Sequence, residues 1–257
     1  MRVLVKLGGA LLDDPVSRDR LARELASVQA AGVELVVVHG GGKQMTRFLA
    51  ERGVQSKFID GLRVTTPEVV DAVLKVFAGS VNHELVSAFV AAGARAVGLS
   101  GIDAALAEAE PMREELGAVG RIVRANADLL RLLTSNGYLP VVACVAGDRG
   151  GRIYNVNADQ MAVACAAGFA VDKLFFLTDV EGVRGPEGGV LPDLTRDDAV
   201  KLIAGGVATG GMQAKLNAAC DGLEKGVGEV VIVSGAVPGI VGRLLDGGAA
   251  GSRLIRG

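Results

Sequence analysis

The sequence predicts an α/β fold built on a parallel sheet, and three observations carry that expectation. Residues 3–7, 34–38 and 172–177 form apolar runs with little polar alternation, as strands buried on both faces do. Between the first two runs, Leu21, Leu25 and Val28 recur at helical spacing and Gly32 closes the pattern, so residues 1–45 read as a β-α-β unit. Each run ends in a glycine-bearing loop: Gly8-Gly9, Gly40-Gly41-Gly42 and Thr178-Asp-Val-Glu-Gly182. Ligands of parallel sheets sit at the carboxyl ends of the strands, where these loops fall.

Composition narrows the classes. The chain has 257 residues, enough for one large α/β domain or two lobes sharing a sheet, and 50% of them are hydrophobic. Aromatic residues are 4% and tryptophan is absent, so the core must be aliphatic. A formal net charge of −2 gives no broad basic surface, which argues against a general nucleic-acid binder. No uninterrupted apolar run approaches the roughly 20 residues of a membrane helix, and the amino-terminal strand does not resemble a signal peptide. Cys144, Cys165 and Cys220 are widely spaced in mostly apolar surroundings, without metal-ligand spacing. They read as buried thiols in a reducing cytoplasm, the expected location.

Taken in order, residues 44–52 continue the second glycine loop as a helix. Residues 57–65 form a hairpin turning at Asp60-Gly61, with Arg63 on its returning arm. Thr66-Pro67-Glu68 caps a helix that runs towards Gly79, and another covers about 82–92. Residues 94–99 are a strand, 105–124 a β-rich excursion, 128–135 a helix and 139–145 a strand. Asn157 caps the apolar helix at 161–167, with Asp159 in its first turn. Residues 195–204 are a helix. A long helix at 213–225, opened by Thr209-Gly-Gly-Met212, carries Lys215 in its first turn. Residues 229–233 are a strand, and short strands are expected near 240–245 and 253–255. No linker or internal repeat is visible.

Several residues sit awkwardly in this frame and thereby suggest chemistry. Lys6 lies inside the first apolar run. A lysine there needs either an anion at the strand end or a stem long enough to snorkel. Gly8 and Gly9 beside it let backbone N–H groups approach a ligand. The Gly40–Gly42 run fails the P-loop pattern, because Val37 and Gln44 stand where glycine and Ser or Thr are needed. It fails the dinucleotide fingerprint at Met45. A glycine run opening a helix remains, an anion site of unspecified kind. Lys215 near a helix start opposes the dipole unless it shares an anion with the N–H groups. Arg63 suits a bidentate grip on a carboxylate.

Lys6-Leu-Gly-Gly9, Val-His-Gly-Gly-Gly42, Gly-Leu-Arg-Val-Thr65, Ala-Gly-Ser-Val-Asn82, Val-Gly-Leu-Ser-Gly101, Asn-Val-Asn-Ala-Asp159, Thr-Asp-Val-Glu-Gly182 and Gly-Gly-Met-Gln-Ala-Lys215 follow one another along the chain. In this order they resemble the amino acid kinase family over essentially the whole length. The resemblance implies a three-layer α/β/α sandwich around one open, mainly parallel sheet. It also implies a single domain, 1–257, with an acceptor-binding lobe at about 1–170 and an ATP-binding lobe at about 171–257. It further implies transfer of the ATP γ-phosphoryl group to a carboxylate, with Lys6 and Lys215 neutralising the group in transit and Asp159 orienting both lysines. Gly8, Gly9 and Gly41 would donate N–H groups to its oxygens. The Arg63 segment and Asn155 point to the branch acting on N-acetyl-L-glutamate, with Arg63, Gly41, Gly42 and Asn155 holding that acceptor. Asp179, Val180, Glu181, Gly182, Val183, Arg184, Val207, Ala208 and Thr209 match the nucleotide-binding stretches. Mg²⁺ is expected on the phosphates and water, with no dedicated protein cage. Ile102 stands where many members of that branch have lysine, which keeps carrier-protein-linked α-aminoadipate as the rival acceptor. A non-catalytic nucleotide sensor is a remoter alternative, disfavoured because both lysines and the aspartate are present. Arginine-inhibited members carry an extra amino-terminal helix; here the strand begins at residue 2, so a homodimer without strong arginine feedback is expected.

Overall fold

The computed structural model describes residues 1–256. The chain opens with β1 (Arg2–Leu7) and turns at once into a five-residue helix, α1 (Gly9–Asp13), where only a loop was expected. Helix α2 (Pro15–Ala30) is capped by the Asp14 carboxylate, which accepts from Val16 N and Ser17 N, and it ends at Gly32, whose φ is +89°. Strand β2 (Glu34–His39) leads into α3 (Gly42–Ala50). The hairpin of β3 (Phe58–Ile59) and β4 (Leu62–Arg63) turns through Asp60 and Gly61, both at positive φ, as a two-residue turn requires.

The next segment departs from the reading of two helices. Helix α4 (Pro67–Val73), a π-helical stretch at Leu74–Val81 and α5 (Asn82–Ala91) form one continuous helix from Pro67 to Ala91. Gly79, where the first helix is expected to end, lies inside the π stretch with its neighbours still helical. Fused in this way, the helix is long and apolar enough by length and composition to cross a membrane, although no single apolar run is. Its buried side, including Val73, Phe77, Val81, Leu85 and Phe89, belongs to the central core.

Strand β5 (Ala96–Ser100) follows. The excursion then resolves into β6 (Ala107–Pro111) and β7 (Gly120–Ala125). After α6 (Asp128–Ser135) come β8 (Leu139–Ala143), β9 (Val145–Gly147) and β10 (Ile153–Asn155). Helix α7 (Ala158–Phe169) starts where its cap predicts: the Asn157 side chain accepts from Asp159 N and Gln160 N. Strand β11 (Lys173–Thr178), β12 (Asp193–Leu194), α8 (Arg196–Ala204) and α9 (Gly210–Glu224) lead to β13 (Glu229–Ser234). Helix α9 starts three residues earlier than expected, which puts Lys215 in the second turn. Residues Ile240–Leu245, expected as a strand, form helix α10, and the chain closes with β14 (Ser252–Leu254). The helix is selected by a distant partner. The Glu24 carboxylate accepts from Gly239 N at 3.1 Å and Val241 N at 2.8 Å, capping the first turn from 215 residues or more away.

The main sheet has eight strands in the order β12-β14-β13-β11-β1-β2-β8-β5. Every pairing is parallel except β13 with β14. Helices α2, α5 and α10 pack together, as do α6, α7 and α9, giving the three layers. Beside this sheet stand a second sheet, β10-β9-β6-β7, and the β3-β4 hairpin. Strand β1 lies between β11 and β2, so the loops after all three converge at one end.

Candidate active site

The site grows from the carboxyl end of β1. Lys6 pairs in register with Phe176 on one side and Val38 on the other, so its stem is walled by apolar strands and the residue is 6% exposed. The charge does not snorkel. Its Nζ lies 2.7 Å from Asp159 Oδ1, and Lys215 Nζ lies 3.5 Å from Oδ2 of the same carboxylate. Asp159 stands in the first turn of α7, Lys215 in the second turn of α9, and the two helices pack together. Burial acts to raise the pKa of Asp159. The attraction of Lys6 and then Lys215, with their hydrogen bonds, outweighs it and holds the carboxyl below its usual range. One aspartate between two lysines leaves a net positive charge, which favours an anion.

Two glycine loops face each other above this group. A Cβ on Gly9 would stand 3.4 Å from Gly42 N and 3.8 Å from Gly41 N. Gly41 itself has no room for a side chain, since a Cβ there would meet Phe77 at 2.8 Å. Of the expected backbone donors, Gly8 is corrected. Its N–H is donated to Leu177 O at 2.9 Å, joining the loop to β11 and leaving no proton for a ligand. Gly9 opens α1, where the first N–H groups have no partner within the helix.

A cleft of about 670 Å³ runs across this centre. Lys6, Gly8, Gly9 and Lys215 line it around the buried charge group, Arg63 and Gly42 line it from β4 and the start of α3, and Asp179 from the loop after β11. Arg63 is 8% exposed, and its guanidinium donates to Thr46 Oγ1 at 2.8 Å, to Gly42 O at 3.2 Å and to Ser56 Oγ. It also stacks over the Phe58 ring at 4.7 Å. These neutral partners fix its fork without cancelling its charge. Asn155 does not line the cleft; its Nδ2 donates to Thr65 Oγ1 at 3.0 Å, which in turn donates to Arg63 O at 2.9 Å, so it braces the arginine strand.

The remaining expected residues separate. Asp179 lines the cleft, and Val180, Glu181, Arg184, Val207 and Thr209 are exposed at loop surfaces. Gly182, Val183 and Ala208 are buried, and Val183 N is already donated to Ser252 Oγ at 2.8 Å. These three shape the loops rather than present atoms to solvent. Lys43, Thr46 and Arg47 of α3 and Thr178 at the end of β11 also line the cleft and were not anticipated. The signal for the first three was present, because the helix following a glycine run presents its first turns to the same anion site. Among the described residues no group of three or more His, Cys, Asp or Glu side chains could hold a metal ion. Asp159 is already engaged by two lysines, so the donor set fits a cation that arrives on phosphate oxygens better than one seated in a protein cage.

A cleft that sets two cations and facing backbone donors around one small volume can stabilise a phosphoryl group moving between two anions. That is the layout a phosphoryl-transfer enzyme needs. The sequence model of the amino acid kinase family matches residues 1–234, and the chain belongs to that family. It is 61% identical over 255 residues to the acetylglutamate kinase of Solibacter usitatus (strain Ellin6076), covering 99% of each chain. It is 42% identical over 235 residues to the acetylglutamate kinase of Koribacter versatilis (strain Ellin345), covering 91% of this chain and 90% of that one. Among solved structures, N-acetylglutamate synthase from Neisseria gonorrhoeae, complexed with coenzyme A and N-acetyl-glutamate, superposes with a TM-score of 0.88 at 24% identity. That match covers 100% of this chain and 59% of the synthase chain, and it shows the shared fold.

Proposed function

We propose that this chain transfers the γ-phosphoryl group of ATP to the side-chain carboxylate of N-acetyl-L-glutamate, giving N-acetyl-L-glutamyl 5-phosphate for arginine biosynthesis. The observation that carries the reading is the buried Lys6–Asp159–Lys215 group at the end of the central strand. In the reaction a carboxylate oxygen forms a bond to the γ-phosphorus as the bond to the bridging oxygen of ADP breaks. The acceptor is already ionised near neutral pH, so no general base is needed. Lys6 and Lys215 meet the charge of the transferring group, and Asp159 keeps both ammonium groups aimed at it. Gly9 and Gly41 supply N–H donors, while Arg63 grips the α-carboxylate. Gly42 and the Asn155–Thr65 brace shape the acceptor end. The nucleotide occupies the loops from Asp179 to Arg184 and Val207 to Thr209, in the lobe at about 171–257. Mg²⁺ on the phosphates supplies further charge neutralisation.

The rival acceptor, carrier-protein-linked α-aminoadipate, would need free basic surface for an acidic carrier. Acidic partners stand against the arginines of segment 113–124: Arg113 pairs with Asp60 and Glu115, Arg121 with Glu110, and Arg124 shares Glu108 with Arg149. Ile102 sits against the β9-β10 hairpin, its Cγ1 3.5 Å from where a Gly147 Cβ would stand, and is not part of the cleft lining. Both observations favour the small acceptor. The test is an assay with ATP and Mg²⁺ in which hydroxylamine traps the acyl phosphate. Hydroxamate from N-acetyl-L-glutamate, with little from free glutamate or carrier-linked aminoadipate, is expected. Absence of product from N-acetyl-L-glutamate defeats the reading. The enzyme is further proposed to act in the cytoplasm as a homodimer, which size-exclusion chromatography with light scattering checks.

A further inference from the structure

His39 and Asn82, each part of one of the motifs, have no role in the chemistry above, and they touch in the core. His39, the last residue of β2, is wholly buried. Its Nδ1 lies 2.8 Å from Gly40 O, and since a carbonyl only accepts, Nδ1 carries the ring proton. Burial lowers the imidazole pKa to about 4, with the Gly40 hydrogen bond opposing weakly, so the ring is neutral and Nε2 is an acceptor. Asn82 Nδ2 donates to it at 2.9 Å and gives its second proton to Val141 O on β8, also at 2.9 Å. The space for this amide comes from β5, where a Cβ on Gly98 would stand 2.1 Å from Asn82 Oδ1. Asn82 is the first residue after the π-helical stretch, and that same stretch presses Phe77 and Val81 against Gly41.

The consequence lies in one peptide plane. Among the described residues no peptide bond is cis, so the N–H of Gly41 points away from the carbonyl of Gly40. Drawing the Gly40 carbonyl onto His39 in the core turns the N–H of the buried Gly41 away from His39, on the side where a Gly9 Cβ would stand 3.8 Å from its nitrogen. We infer that His39 and Asn82 are positioning residues for phosphoryl transfer, a buried relay from β8 that aims the Gly41 N–H at the transferring group. The π-helical stretch is the part of the scaffold that seats both ends of this relay. π-Helical turns placed next to working sites commonly have such a local task. The inference rests on the proposed role of Gly41 in the reaction above.

The test uses the full chain in the hydroxylamine assay. Wild-type turnover of N-acetyl-L-glutamate is measured first, because its absence defeats the substrate reading and not this one. His39→Leu fills the space but cannot donate to Gly40 O; kcat is expected to fall by up to roughly 100-fold with KM for both substrates little changed. His39→Gln offers an amide donor and an acceptor at similar reach and is expected to recover most of that loss. A folded His39→Leu enzyme with kcat within twofold of wild type overturns the inference, and so does a loss confined to KM. If His39→Leu does not fold, the wild-type ring is read directly. The chain has two histidines, so ¹⁵N-histidine spectra are readily assigned. A neutral His39 protonated at Nδ1 supports the relay, and an Nε2-protonated ring overturns it.

Discussion

The Lys6–Asp159–Lys215 middle of the cleft and the Arg63 end, the proposed acceptor end, both hold buried cations, yet they hold them in opposite ways. In the middle, Lys6 and Asp159 have side chains 7% and 6% exposed and are stabilised by each other, with Lys215 closing the group. At the proposed acceptor end, Arg63 is held by oxygens of Ser56, Thr46 and Gly42 and by the Phe58 ring, all of them neutral. A charge locked to another charge is costly to disturb but is set in place for a short-lived anion. A charge held by neutral partners keeps its full attraction for a stable one. The first arrangement suits the group in transit and the second the bound acceptor.

Breaking the middle has the largest expected effect. Asp159→Asn leaves two lysines facing each other in a buried site, so stability is expected to fall by about 3–5 kcal/mol, read by denaturant unfolding, together with kcat. Lys6→Ala removes one donor to the transferring group and is expected to lower kcat by roughly 10²–10³, with KM for N-acetyl-L-glutamate little changed. His39, at the strand end before the glycine loop, adds a pH-dependent part of the stability to its effect on turnover. His39 titrates near its usual 6.5 when unfolded and at about 4 when folded, so the unfolded state binds more protons between those values. Stability contributed by the neutral ring is full above pH 6.5 and is lost as pH falls towards 4, by about 3 kcal/mol. His39→Gln is expected to abolish that part of the slope in pH-dependent unfolding. Arg63→Ala is expected to raise KM for the acceptor roughly 10- to 100-fold, the scale of lost hydrogen bonds to a charged group, with kcat largely kept.

These contrasts also mark what the sequence made legible. Lys6 in an apolar strand, Asn157 and Asp159 at a helix start and the Asp60-Gly61 turn are local signals, and each falls where its residues indicate. Three misreadings share the opposite cause. Helix α10 resembles a short apolar strand until Glu24, far away in the chain, caps it. The helix from Pro67 to Ala91 appears broken at Gly79, because a π-helical stretch leaves no periodicity that a window of residues can register. The Gly8 N–H looks available until β11 is placed beside it and takes its proton. Asn155, expected at the acceptor, instead donates to Thr65 Oγ1 away from the cleft wall, a contact between segments 90 residues apart that no local pattern carries.

The central claim is that the two regions divide the work, transit in the middle and grip at the end. Its most direct test is kcat and KM for N-acetyl-L-glutamate measured side by side in Lys6→Ala and Arg63→Ala by the hydroxamate assay. The account predicts that Lys6→Ala loses kcat at nearly unchanged KM and that Arg63→Ala raises KM at nearly unchanged kcat. Loss of the same parameter in both variants would contradict it.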